Sequence, residues 1–230
     1  METSADCFQL QQRLVQVREP VIFDVGAHKG DVSKIYRALF PSSRIYAFEP
    51  FPQSFQELTG NVGGDAQIHC FELAISNIEG RAILNGNKFA PTNSLLQGDK
   101  RGALYWGAGV LDTVSQVEVK TTSIDSFCVD AGIPHIDILK IDVQGAEFSV
   151  LEGCSQYLKN HSVSLIYAEF IMCPTYKGQH TFYDYVKFLN SFGYEFHDLC
   201  NPIRNQIQLM QADLIFISSS FKKEIENRFR

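Results

Sequence analysis

The feature that most narrows what this chain can fold into is a short apolar run that enters a glycine turn and passes straight into an amphipathic helix. Val21, Ile22 and Phe23 are followed by Asp24-Val25-Gly26-Ala27-His28-Lys29-Gly30. Beyond Gly30, residues Val32, Ile35, Tyr36 and Leu39 recur at the i, i+3, i+4, i+7 spacing of one helical face. A second apolar run, Ile45-Tyr46-Ala47-Phe48, ends in Glu49-Pro50. Two successive strands therefore each finish on an acid. This is the layout of a nucleoside-binding α/β sheet, whose ligands sit beyond the carboxyl ends of parallel strands.

A chain of 230 residues suits one α/β domain with a large core. Apolar residues make up 45% and charged residues 20%, a balance that excludes a disordered chain. The net charge of −6 argues against a nucleic-acid or anionic-membrane partner. The six cysteines (7, 70, 128, 154, 173 and 200) form no C-x-x-C pair, so free thiols in a reducing compartment are expected. No basic-then-apolar leader and no apolar run of membrane-spanning length is present, and the expectation is a soluble, cytoplasmic protein.

Along the chain, residues 4–17 read as a leading helix, which makes 1–19 an N-terminal helical extension and 20–230 the main domain. Strands are expected near 20–24, 44–48 and 67–71, with helices over 31–40 and from Pro52 to Gly60. The βα rhythm then lapses. Ala82-Ile83-Leu84 and Val117-Glu118-Val119 read as strands of an inserted region, and the polar, glycine-rich segment 85–115 between them reads as a lid or binding loop. The rhythm resumes with helix 123–130, strand 136–141, helix 146–158, strand 163–168 and helix 180–191. Two final strands, near 194–199 and 212–217, are placed to pair antiparallel.

Four strands thus end in an acid on one edge: Asp24, Glu49, Asp142 and Glu169. Glu49 suits the two vicinal hydroxyls of a ribose, because a carboxylate accepts with two oxygens. The first turn spells G-x-x-x-G, without the middle glycine that makes room for a pyrophosphate in G-x-G-x-x-G. An acid just before that turn suits a ligand carrying cationic groups and no phosphate. S-adenosylmethionine fits that description better than NAD.

The chain resembles the FkbM-type methyltransferases. The resemblance rests on the segment 23–30, on Tyr46-Ala47-Phe48-Glu49-Pro50, on Thr122-Ser123-Ile124-Asp125-Ser126-Phe127, and above all on Leu139-Lys140-Ile141-Asp142-Val143-Gln144-Gly145-Ala146-Glu147. It implies a doubly wound, mostly parallel seven-stranded α/β sheet of the Rossmann-like class I methyltransferase kind, with its last strand antiparallel. The implied cofactor is S-adenosyl-L-methionine, held by Asp24, Gly26, Ala27, His28, Gly30, Glu49, Pro50, Ala74, Asn93, Ser94 and Asp142. Two positions depart from the family's habit: His28 stands where Asn is common, and Gln144 where Glu is frequent. An amide cannot act as a base, so Gln144 is not assigned proton abstraction.

Lys140 and Asp142 lie two apart on one strand and point to the same face. One reading makes Asp142 a base or acceptor anchor, Lys140 its electrostatic partner and Glu169 a further catalytic acid that positions the acceptor. The other makes Lys140 and Asp142 a structural ion pair. Asp142 and Glu169 without a third ligand make a weak cation site, so no metal is expected. Tyr105 and Trp106 either stack on an acceptor or pack the loop onto the body. The resemblance implies a hydroxyl acceptor on a small molecule or saccharide; the rivals are a nitrogen acceptor on protein or nucleic acid, and a nucleoside-binding module without catalysis.

Overall fold

The computed structural model describes residues 4–228; residues 1–3 of the expected extension, and 229–230, lie outside the described residues. Helix α1 (Ser4–Leu14) leads into β1 (Val21–Val25), α2 (Asp31–Leu39), β2 (Arg44–Phe48), α3 (Pro52–Val62) and β3 (Ile68–Phe71). The inserted region holds β4 (Ala74–Ile75), β5 (Gly80–Asn87), the short helix α4 (Ala103–Trp106) and β6 (Thr113–Thr122). There follow α5 (Ile124–Ala131), β7 (Ile136–Ile141), α6 (Glu147–Glu152), α7 (Ser155–Lys159), β8 (Val163–Ile171), α8 (Phe182–Ser191), β9 (Tyr194–Arg204), β10 (Leu209–Ser218) and α9 (Ser219–Arg228).

The main sheet has seven strands in the order β3-β2-β1-β7-β8-β10-β9. The pairs β1·β2, β1·β7, β2·β3 and β7·β8 are parallel, while β10 is antiparallel to both β8 and β9. This is the expected mostly parallel sheet with its last strand reversed. Strands β1, β7 and β8 are buried along their whole length, as continuous apolar runs covered on both faces must be.

Two apolar cores flank the sheet. On one face Phe23, Val25, Phe48, Leu139 and Ile141 meet the side chains of α5, α6, α7 and α8. On the other Ile22, Ile45, Ala47 and Ile138 meet those of α1, α2, α3 and α9. Within the first core, Phe127 of α5 stands edge-on to Phe48 and Phe71, with ring centroids 4.9 and 5.0 Å away. Phe23 and Tyr46 complete that aromatic group.

The insertion is more regular than a loop. Strands β5 and β6 form an antiparallel ribbon, joined by β4 into a second, three-stranded sheet. The irregular part is therefore 88–112 rather than 85–115. The expected helix 146–158 is split into α6 and α7. The break falls at Gly153, where a Cβ would lie 2.3 Å from the Ser76 carbonyl oxygen, so the insertion approaches too closely for a side chain.

The expectation for the cysteines fails. Cys7 and Cys200 are joined in a disulfide rather than left as free thiols. The fold lays α1 against β9, which brings together two positions 193 residues apart that no local pattern links. Cys70, Cys128, Cys154 and Cys173 are free. None of the helices in the described residues is long and apolar enough to cross a membrane.

The Phe127 group generates a stability prediction. Phe127→Ala removes four edge-to-face or tilted ring contacts and leaves a cavity beneath β1, β2 and β3. The expected loss is about 3 kcal/mol in urea unfolding; a change under about 0.5 kcal/mol would show that the rings do not depend on one another.

Candidate active site

The site forms where the turns after β1, β2, β7 and β8 meet the underside of the insertion. After β1, the Gly26 and Ala27 amides both donate to the Phe48 carbonyl, at 3.0 and 2.9 Å. Gly26 adopts φ +77°, and a Cβ there would fall 1.8 Å from the Asp142 carbonyl oxygen. Only glycine lets the β1 turn close on the end of β7. Gly30 caps α2 at φ +86°, where a Cβ would press on Leu58 and Val62 of α3. Gly26 is thus required by close approach, and Gly30 chiefly by its left-handed backbone.

Glu49 lies at the tip of β2, almost fully buried, and faces the cavity. Its Oε2 accepts the His28 amide and its Oε1 the Phe51 amide, both at 2.9 Å. Burial pushes its pKa up to about 7, against the pull of those two amides. Each oxygen retains a lone pair for a ligand. His28 sits at φ 48°, in the left-handed region. Burial, with the Lys29 charge next, holds its imidazole below the usual range.

Asp24 and Lys140 are not where the sequence suggested. Strand β1 runs one residue past Asp24, so the Asp24 side chain is not at a tip but completely buried under the turn. Its Oδ2 accepts the Ser33 hydroxyl at 2.6 Å. Its Oδ1 lies 2.9 Å from the Lys140 ammonium, at an angle too oblique for a formed hydrogen bond, so the attraction is chiefly ionic. Lys140 Nζ donates to the Gly26 carbonyl at 2.8 Å, whereas Asp142 is 4.0 Å away. Burial alone would lower the Lys140 pKa; the Asp24 charge, and then Asp142, more than offset it and leave it raised. Lys140 therefore serves as counter-ion to Asp24 and holds the Gly26 carbonyl from below, without lining the cavity. Ala27 and Gly30 likewise shape the turn without reaching the cavity, while Gly26, His28, Pro50, Ala74, Asn93, Ser94, Asp142 and Glu169 all line it.

Asp142, Glu147 and Glu169 present oxygens within 4.8 Å of one another. Asp142 is the open member, its side chain 39% exposed. Glu147 is buried at the start of α6, and its Oε1 accepts the Val143 and Gly145 amides at 3.0 and 3.1 Å. Burial raises the Glu147 pKa to about 7. The Glu169 pKa is raised well above the ordinary carboxylate value, by burial first and then by the Asp142 and Glu147 charges. The sequence supplied two of these acids as a possible cation pair; the fold adds Glu147 as a third.

Gln144, at φ 56°, bridges the acids. Its Nε2 donates to Asp142 Oδ1 at 2.9 Å and to Glu169 Oε2 at 2.6 Å, and its Oε1 lies 3.1 Å from the Tyr176 hydroxyl. The same hydroxyl is 3.0 Å from the Thr92 carbonyl. Ser94 Oγ donates to the Gln144 carbonyl at 2.7 Å. The insertion is thereby fastened to the loop after β7. Gln211 of β10 donates to Glu169 Oε1 at 2.5 Å, and the Trp106 indole N–H donates to Thr175 Oγ1 at 2.8 Å. Gln211, Thr175 and Tyr176 were not found by sequence reasoning. No local signal marks them, because antiparallel pairing of β10 with β8 is what brings Gln211 beside Glu169.

The cavity measures about 550 Å³, within the range of small-molecule sites. One half is bounded by Gly26, Glu49 and the apolar Leu73, Ala74, Ile75 and Val143. The other lies between the acids and the insertion, with Phe89, Trp106, Val110, Leu111 and Ile171 as an apolar wall.

Residues 24–196 match the family described as the Methyltransferase FkbM domain. The chain belongs to the FkbM methyltransferase family. It is 30% identical over 175 residues to the 2-O-methyltransferase NoeI of Sinorhizobium fredii, covering 72% of this chain and 69% of that protein. It is 25% identical over 152 residues to the hexuronic acid methyltransferase AglP of Haloferax volcanii, covering 66% of this chain and 56% of that one. In fold it is similar to the crystal structure of methyltransferase FkbM from Methylobacillus flagellatus KT, with a TM-score of 0.59 and 15% identity over 94% of this chain. The chain spans 48% of the length of that structure.

The cofactor of an FkbM methyltransferase is S-adenosylmethionine, and the residues present fit it. Glu49 offers an acceptor pair for the ribose diol, the Leu73–Ile75 and Val143 side chains offer an apolar slot for a base, and Gly26 lines the cavity without a side chain to obstruct it.

The buried ion pair generates a prediction. Lys140→Met leaves Asp24 buried without its counter-ion and should cost about 3–5 kcal/mol in urea unfolding, with part recovered in the double variant Asp24→Asn/Lys140→Met. Unchanged stability with abolished turnover would instead return Lys140 to the chemistry.

Proposed function

We propose that this FkbM methyltransferase moves a methyl group from S-adenosylmethionine to a hydroxyl on a small molecule or saccharide, with no nucleic acid or membrane as partner. In this reading residues 20–230 act as the methyltransferase domain, residues 1–19 brace it, and the insertion roofs the acceptor. The observation that carries the proposal is the open side of Asp142 facing a cavity whose opposite half ends in Glu49. The hydroxyl is supported by the printed name of one relative, a 2-O-methyltransferase, while that of the other, a hexuronic acid methyltransferase, supports only a saccharide.

When bound, S-adenosylmethionine supplies a methyl group already activated by its sulfonium. What remains for the protein is to bind, orient, dry the site and manage one proton. Glu49 receives the ribose hydroxyls. Asp24 and Lys140 act at one remove, by fixing the Gly26 carbonyl and so the β1 turn. Asp142 takes the acceptor's hydroxyl proton. Glu169, whose two oxygens accept the Gln144 and Gln211 side-chain amides, anchors the acceptor and, through Gln144, holds Asp142 in place. Asn93 and Ser94 contribute by holding the insertion down, since Asn93 Oδ1 accepts the Asn87 amide at 2.8 Å and Ser94 ties to Gln144. A cytoplasmic site of action belongs to the same proposal; four cysteines stay free even though Cys7 and Cys200 are paired. Recovery of the protein in a secreted fraction would refute that location.

Two substitutions separate the roles. Glu49→Ala should weaken S-adenosylhomocysteine binding by about 1–3 kcal/mol in calorimetry; equal affinity in a folded variant would remove Glu49 from the ribose. Asp142→Asn should spare that affinity and lower turnover by about a hundredfold or more; a normal rate would show that another group takes the proton.

The Glu49 pKa of about 7 makes binding pH-dependent. Ribose hydroxyls donate to the ionised form, whose fraction grows through neutrality. Affinity for S-adenosylhomocysteine should therefore rise from pH 6 to pH 8, with proton release on binding near pH 7, and Glu49→Gln should flatten the profile. Tighter binding at pH 6 than at pH 8 would contradict this assignment.

A further inference from the structure

The acceptor half of the cavity is peculiar in its charge. Among the described residues, no lysine or arginine lines the cavity, although Glu49, Asp142 and Glu169 do. The one lining side chain able to become cationic is His28, which lies on the Glu49 side, and burial keeps its imidazole below the usual range. The nearest buried ammonium, Lys140, is committed to Asp24 and to the Gly26 carbonyl. Two cations on neighbouring loops are engaged elsewhere: Arg101 pairs with Asp99 at 2.7 Å, and Lys177 donates to Gln97 at 2.8 Å.

Backbone amides could still have made an anion site. The loop after β7 enters α6 with its Val143 and Gly145 N–H groups turned inward, the arrangement that receives anions at helix starts. Both amides are already taken by Glu147, whose buried side chain fills that position from within the chain. An anionic acceptor would therefore lose its hydration beside carboxyl groups and find neither a cationic side chain nor a free amide pair. The wall opposite the acids offers hydrophobic contact instead. Trp106 is fixed there by its bond to Thr175 and by packing with Ile171 and Tyr176, and Phe89, Val110 and Leu111 continue the surface.

We propose that the acceptor is an uncharged hydroxyl compound with an apolar face, such as a neutral sugar ring or glycoside, and that the cavity rejects carboxylated or phosphorylated acceptors. The hydroxyl edge of such a compound meets Asp142, Gln144 and Gln211, while its C–H or aryl face lies on Trp106 and its neighbours. This rests on the methyl-transfer reading and narrows its substrate class.

The test compares two probes that differ only at C6. Phenyl β-D-glucoside and phenyl β-D-glucuronide are titrated, by ligand-observed NMR, into the full chain saturated with S-adenosylhomocysteine, whose own affinity is measured first. The glucoside should bind at least about tenfold more tightly. Phe89→Arg, at an exposed rim position, should narrow or reverse the gap without changing S-adenosylhomocysteine affinity. Equal affinities, failure of both probes to bind, or preference for the glucuronide by the unaltered protein would overturn the proposal. Failure of S-adenosylhomocysteine itself to bind would sink the methyl-transfer reading instead, so the two failures are distinguishable.

Discussion

The geometry of the site depends on one buried ion pair. Lys140 comes from the central strand β7 and Asp24 from its neighbour β1, and the ammonium that balances the acid also grips the Gly26 carbonyl. That single group fixes the relative height of two strand ends. The β1 turn then closes on the Asp142 backbone so tightly that a methyl group at position 26 would not fit. Glu49, whose oxygens hold the His28 and Phe51 amides, locks the adjoining turn to the same frame. The interior cost of burying charge is accepted here in exchange for position, and breaking half of the pair would be far more damaging than never having had it.

A second layer of order comes from neutral groups. Gln144 lies between two carboxyl groups and donates to both, while its carbonyl and side-chain oxygens face Ser94 and Tyr176. A carboxylate in its place would repel Asp142 and Glu169 rather than join them. The amide thus makes a crowded acidic corner compatible with a fastened roof. Placement and closure of the site are one connected network, in which burial first, and then the nearby Asp142 and Glu147 charges, raise the Glu169 pKa.

Much of this was legible in the chain. The alternation of apolar strand and amphipathic helix is a local property, so β1, α2, β2, α3 and β7 could be placed within a residue or two. The place of Glu49 at the end of β2 was legible because the apolar run Ile45–Phe48 stops there, but the two backbone amides its carboxylate holds were not. Asp24 was misplaced by a single residue of strand length, enough to turn its side chain under the sheet instead of toward a ligand. The same-face rule brought Lys140 toward Asp142, but could not reveal that a neighbouring strand held a closer acid. Glu147 stood in the sequence only as the last residue of the 139–147 segment, and only the fold shows it completing an acidic trio. Gln211 and the Cys7–Cys200 pair depend on the register of β10 and the docking of α1, and such long-range choices leave no mark on nearby sequence.

The covalent link between α1 and β9 has a topological consequence. It closes nearly the whole polypeptide into a ring, from position 7 to position 200. A protease that nicks the exposed Lys100–Arg101 turn, or any other single bond inside the ring, would leave both fragments joined. Once denatured, the nicked molecule would still travel as one species until a reductant separates it in two, so the ring would conceal a cut that a denatured open chain would betray.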